Sequence, residues 1–188
     1  MIFHLADRRI CETKSTSCDC SLLARKCHLL IARFFASNES HIFFSFILPH
    51  IISEEHPELK VFGDDDPIDV VEIGSKALEM GTVTEVKPLG VLAMIDDGEL
   101  DWKVVAVAVD DPLAKEYNDI DDVPEAVKAG IREWFRWYKT PDDKPLNGFG
   151  FDEKYLDAAE AEKVIAETHE SWKKLKAGDT DAGKLWLA

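Results

Sequence analysis

Four carboxylates crowd into the run Asp64-Asp65-Asp66-Pro67-Ile68-Asp69. So many hard oxygen atoms mark either a solvated acidic turn or a place for a hard divalent cation. If the stretch is extended, Asp64 and Asp66 project to the same side; Pro67 fixes its own φ and restricts Asp66, which predicts a stiff loop. A calcium EF-hand is excluded, because Pro67 and the missing glycine at position six do not fit that loop. A second acidic run, Asp96-Asp97-Gly98-Glu99-Leu100-Asp101, contains the Asp-Gly pair of a hairpin. With a loop over 97–100, Asp96 and Asp101 would oppose each other across the strand pair, a repulsion that a divalent cation would relieve. Asp101 and Lys103 lie two residues apart on a strand and share a face, which sets an ammonium beside the carboxylates. Asp64, Asp66, Asp69, Asp96, Asp101 and Lys103 together suit octahedral Mg2+, which keeps waters and takes other ligands from phosphate oxygens. The competing reading is a hairpin flat on the surface with hydrated aspartates.

A third cluster, Arg136-Trp137-Tyr138-Lys139-Thr140-Pro141, follows a helical stripe. Lys139 near a helix C-terminus favours the dipole and Tyr138 continues the stripe, so a structural role suffices; the functional alternative is a pair of donors for a phosphate oxygen. Neither His56 nor His169 has a serine or cysteine setting of the triad kind, and no G-x-S-x-G, P-loop or G-x-G-x-x-G occurs.

The elements that must carry these groups follow from periodicity. Ile68 to Ile73 and Leu89 to Ile95 are apolar runs of strand length, and Trp102 to Val109 is rich in β-branched residues. Val127, Ile131, Trp134, Phe135 and Tyr138 fall at helical spacing after Pro124. Ala158, Ala161, Ile165, Thr168, Trp172 and Leu175 repeat the pattern before Gly178. Strands first and helices after predict an α+β fold, an antiparallel sheet or small barrel with helices outside.

The 188 residues suit one domain with an appendage, and their formal charge of −15 excludes nucleic-acid binding through a general basic surface and attraction to anionic membranes. Composition breaks near residue 53. The first part holds all four cysteines and no tryptophan; the remainder holds all five tryptophans and all ten glycines. Cys11, Cys18, Cys20 and Cys27 match neither common zinc spacing and form no C-x-x-C motif, so they read as incidental thiols. The apolar clusters Leu29 to Phe35 and Ile42 to Leu48 fall short of the roughly 20 residues of a spanning helix. Arg8, Arg9, Arg25 and Arg33 with nearby serines support an organelle presequence weakly, so the expected compartment is cytoplasmic, with a mitochondrial one as the alternative.

The run from Gly63 to Gly74 resembles the D-x-D-P-x-D signature of the soluble, magnesium-dependent (family I) inorganic pyrophosphatases. The runs Asp96 to Val104 and Glu133 to Lys139 resemble that family's next two blocks, in the same order. Asn118-Asp119-Ile120 and His169-Glu170-Ser171-Trp172-Lys173 are similar to its eukaryotic branch, so the likeness covers roughly residues 54–178. It implies an OB-type five-stranded β-barrel with flanking helices and hydrolysis of pyrophosphate to two phosphates, with Mg2+ as cofactor. It also implies roles: Asp64, Asp69 and Asp101 on a first metal, with Asp69 bridging to a second; Asp96 and Asp101 on the metal arriving with substrate; Asp66 as the base toward attacking water; and Lys103, Tyr138 and Lys139 on phosphate oxygens. The partner expected is pyrophosphate, with no nucleic acid and no membrane, and a homodimer is compatible. In the family, the segment before Asp64 supplies two early strands and further active-site residues, and residues 1–53 show none of those motifs. The expectation is therefore an atypical segment 1–53, disordered or mispredicted, before a partial pyrophosphatase domain 54–188 that lacks its first strands. The functional alternative is a non-catalytic truncated relative that binds divalent cations or pairs with a full-length subunit.

Overall fold

The computed structural model describes residues 27–31, 43–51, 55–78 and 82–181. Cys11, Cys18 and Cys20 and most of the segment 1–53 lie outside them. The described residues form six strands: β1 (Cys27–Ile31), β2 (Phe43–Ile51), β3 (Pro67–Glu72), β4 (Val83–Asp96), β5 (Glu99–Ala108) and β6 (Gly148–Phe149). Among the described residues two α-helices follow β5, α1 (Glu125–Trp137) and α2 (Ala158–Ala177), with β6 between them. Among the described residues no helix is long and apolar enough to cross a membrane.

Strand pairing closes a ring. The order is β1-β2-β3-β5-β4, and β1 pairs again with β4. Every pair is antiparallel except β3 with β5. A closed five-stranded barrel of this connectivity is the OB-type arrangement. Where the sequence predicts missing first strands, β1 and β2, which overlap the apolar runs 29–35 and 42–48, complete the ring. Closure supplies the reason, because without them β3 and β4 would each keep an unpaired edge. The short β6 adds to the far end of β4, pairing Gly148 with Ile95 and Phe149 with Met94.

The β3–β5–β4 wall is buried on both faces, which is why its strands read as nearly continuous apolar runs. One face carries Ile68, Val70, Val91, Ala93, Trp102, Val104 and Ala106 and packs against Ala161, Val164 and Ile165 of α2. The other carries Val71 and Met94 against Ile131 and Phe135 of α1, and Leu89, Val105 and Val107 against Ile120 and Val123. Both helices sit where their stripes predict. α1 starts after Pro124, and α2 is capped by Asp157, whose side chain accepts from the Glu160 amide at 2.9 Å. Gly178 ends α2 in the left-handed region at φ 82°.

The hairpin departs from expectation. Its loop is the two-residue turn Asp97-Gly98, with φ of 50° and 92°, so Asp96 pairs with Glu99 and Asp101 with Met94. Two left-handed residues make the turn whose twist matches the strands it joins, and that geometry wins over a four-residue loop. The acidic run before β3 is also not extended: the Asp66 amide donates to Asp64 Oδ1 at 3.0 Å and Asp65 is left-handed at φ 57°.

Two positions make the frame testable. At Gly90, where the β4–β5 register shifts, a Cβ would come within 2.5 Å of the Leu156 carbonyl oxygen and 2.7 Å of Ile120 Cβ. Gly90→Ala is expected to lower stability by about 1–3 kcal/mol in urea denaturation, the cost of overpacking a site whose neighbours are backbone and a branched side chain. Glu72 is fully buried; its Oε1 accepts from the Gly74 and Ala108 amides, both at 2.9 Å, while Oε2 has no partner. Burial pushes its carboxyl above the usual glutamate range, and Asp111 and Asp110 add to the effect. Because folding raises this pKa, its contribution to stability is complete below the ordinary glutamate value and is lost as pH rises through the raised one. Glu72→Gln, which keeps the accepting oxygen, should flatten that part of a stability-against-pH curve.

Candidate active site

The site builds outward from β5. Alternation puts Asp101 and Lys103 on the α1 side of the wall, and parallel pairing sets Asp69 of β3 beside Lys103. The Lys103 ammonium donates to Asp101 Oδ2 at 2.5 Å and to Asp69 Oδ2, and its side chain is 2% exposed. Below it lies the Phe135 ring of α1, 5.0 Å from Nζ to centroid. Burial alone would pull the lysine pKa down, but Asp101 and Asp69 outweigh it and hold the ammonium above its ordinary range. Asp101 itself is pushed up by burial, with Lys103 opposing.

The acidic loop joins through backbone. Gly63 bridges to Leu100, whose amide donates to the Phe62 carbonyl at 2.7 Å, so Asp64 arrives alongside β5. Its carboxyl is pushed up to about 8, by burial first and then by the charge of Asp101. Asp66 is exposed, and its charge is felt by Asp64. Across the hairpin, Asp96 shares the face of Met94 and Asp101. It accepts from the Lys139 ammonium and, at 3.4 Å, from the Tyr138 hydroxyl, both just past the end of α1. Burial raises the Tyr138 phenol to about 12. Asp101 feels the charge of Asp96, and Tyr138 that of Lys103, so the two halves form one electrostatic cluster.

All eight sequence-predicted residues, Asp64, Asp66, Asp69, Asp96, Asp101, Lys103, Tyr138 and Lys139, thus lie in one region. Among the described residues, however, no three His, Cys, Asp or Glu side chains are drawn tightly enough together to cage an ion by themselves. Lysines stand between the carboxylates instead. The donor set still fits a hard divalent cation. All its candidate ligand atoms are carboxylate oxygens, and Asp69 Oδ1 is buried with no hydrogen-bond partner, an atom whose desolvation nothing yet offsets. Asp96 and Asp101 do not face each other directly, as a loop over 97–100 would have made them, but share one face diagonally, which keeps both on the site.

Sequence reasoning passed over two contributors. Phe135 was read only as part of the helical stripe, and nothing in its spacing distinguishes a ring under an ammonium from one in the core. Lys144 pairs with Asp97 at 2.9 Å and ties the hairpin tip to the segment after α1; its signal is only a lysine in a loop.

Fold and site together define an OB-type barrel protein with a carboxylate–lysine centre between its wall and α1. Residues 18–173 match the inorganic pyrophosphatase family. The chain belongs to that family. It is 51% identical over 129 residues to soluble inorganic pyrophosphatase 6, chloroplastic, of Arabidopsis thaliana, an alignment covering 67% of this chain and 43% of that protein. The type I inorganic pyrophosphatase of Toxoplasma gondii superposes with a TM-score of 0.69 at 45% identity, covering 71% of this chain and 61% of that one. An N-terminally truncated vacuolar soluble pyrophosphatase of Trypanosoma cruzi, solved with PPi, superposes at 0.71 with 33% identity, covering 81% and 66%. The chain spans about half the length of the curated relatives it matches.

The buried lysine gives this site a direct test. Lys103→Met leaves Asp69 and Asp101 buried without their counter-charge, and the expected loss is about 3–5 kcal/mol at neutral pH. Urea denaturation should show part of that loss recovered in mild acid. Without the ammonium the Asp101 carboxyl, already raised by burial, loses the charge that opposes the rise, so stability falls as pH climbs through its raised pKa.

Proposed function

We propose that this chain hydrolyses inorganic pyrophosphate to two phosphates with Mg2+ as its cation. The observation that carries the reading is the arrangement of Lys103, Tyr138 and Lys139 around Asp69, Asp101 and Asp96: donors for phosphate oxygens interleaved with carboxylates suited to a hard ion. The PPi held by the Trypanosoma cruzi relative supports the choice of substrate.

Asp64, Asp69 and Asp101 would hold a first ion, and Asp96 with Asp101 one that accompanies the substrate. Magnesium held there would lower the pKa of a water and neutralise charge on the attacking and leaving oxygens. The work of the chain's own residues is positional and protic. Asp66, which is exposed, accepts the proton of the attacking water as its oxygen bonds to one phosphorus. The bond from that phosphorus to the bridging oxygen breaks, and the bridging oxygen leaves on the second phosphate. Lys103, Tyr138 and Lys139 turn from the aspartates toward the phosphate oxygens and stabilise the charge that develops there. The raised Tyr138 phenol remains a donor throughout the neutral range.

A second reading is cation binding without turnover, or pairing with a full-length subunit, in which Asp69, Asp101 and Asp96 keep their lysine partners rather than yield them to a phosphate. One experiment separates the two. Phosphate release from pyrophosphate is measured in Mg2+ for the intact chain and for Asp66→Asn, with Mn2+ binding followed by calorimetry. Hydrolysis predicts release that falls about 10²–10⁴-fold in Asp66→Asn, the range for removing a general base. It should also be inhibited by Ca2+, whose looser coordination does not hold octahedral geometry. Binding without any release above the variant rejects hydrolysis and leaves the second reading; neither binding nor release rejects both.

A further inference from the structure

Tyr138 and Lys139 reach Asp96 from immediately beyond the last turn of α1, so the exact seat of that helix end decides where a phenol and an ammonium point. The last carbonyls of a helix have no partner within it. Here two are taken up by one buried residue outside the helix. Asn147, 4% exposed, donates from Nδ2 to the Phe135 carbonyl at 3.0 Å and from its backbone amide to the Arg136 carbonyl at 3.2 Å. The same Nδ2 faces Met94 Sδ at 3.5 Å. Met94 lies two residues before Asp96 on β4, on the same side of the strand. The chain continues from Asn147 directly into β6, which pairs with Met94 and Ile95. Asn147 therefore grips the two elements that carry the two halves of the Asp96 to Lys139 contact. A helix cap alone would need the carbonyl bonds only; the link to β4 is the additional feature.

We propose that Asn147 is a positioning residue, whose carboxamide locks the end of α1 to β4 so that Tyr138 and Lys139 converge on Asp96. Aspartate in its place preserves shape but offers an acceptor where the Phe135 carbonyl needs a donor, and alanine removes the group altogether.

The test uses the full chain, with Asn147→Asp and Asn147→Ala made alone and on a Lys139→Ala background. The first readout is amide hydrogen exchange in the ligand-free protein. Each Asn147 variant should speed exchange across 138–144 about tenfold or more while α2 stays unchanged. The second is inorganic phosphate binding in Mg2+ by calorimetry, which rests on the hydrolase reading. Affinity should fall about tenfold in each Asn147 variant and fall no further when Lys139→Ala is already present, the signature of coupled residues. Exchange that rises evenly over the molecule, or losses in affinity that simply add, would overturn the proposal. Should the unaltered chain bind no phosphate, the hydrolase reading fails, and the exchange pattern alone decides the role of Asn147. A variant that does not fold leaves the decision to the other.

Discussion

A lysine ammonium buried at 2% exposure must be paired, and the pairing of Lys103 with Asp69 and Asp101 constrains much of the barrel around it. Asp101 is on its own strand, but Asp69 comes from β3, which can reach it only in the parallel register observed. A slip of one residue would turn Lys103 toward Trp102's neighbours on the α2 side, into a wholly apolar cluster. The contacts of Lys103 with Asp69 and Asp101 thus favour the observed β3–β5 register, and they leave Asp69 Oδ1 without a hydrogen-bond partner.

The second constraint is the seat of α1. Its apolar stripe packs on Val71 and Met94, and two of its arginines reach the turn after β6. Phe151, Asp152 and Glu153 all take positive φ there, a costly conformation for residues with a Cβ. Arg132 donates to the Glu153 carbonyl at 3.2 Å and Arg136 to its carboxylate at 2.7 Å, and Phe151 stacks near Trp102. These contacts tie the helix to a turn that is itself held along β4, where the Gly150 amide donates to the Ala93 carbonyl and the Leu156 amide to the Val91 carbonyl. Helix and wall then present their polar groups to each other at one place.

Much of this was legible in residue order. The acidic run before β3, the Asp-Gly hairpin and the two helical stripes each stand where their local pattern puts them, because period and turn chemistry act over a few residues. The hairpin register was not, since Asp97-Gly98 and a loop over 97–100 are both compatible with the same letters, and only the twist of paired strands selects between them. β1 and β2 were hidden for another reason. Their apolar runs lack the family's surrounding motifs, and a strand's place in a barrel is set by partners such as Val86 and Glu72 that lie far along the chain. Asn147 was hidden too, because a single carboxamide in a loop carries no pattern.

Residue order by itself determined the chemical inventory: hard oxygen ligands on a turn and a hairpin, an ammonium two residues from Asp101, and a phenol–ammonium pair at a helix end. It also determined the α+β class, because hydrophobic period is a local property. Only the tertiary structure decided that these groups meet, that Lys103 takes Asp69 as well as its strand neighbour, and that Lys139 lies on Asp96. Those contacts join positions 34 and 43 residues apart. Their existence depends on barrel closure and helix packing, which arise from the sum of many weak, long-range burials rather than from any short motif.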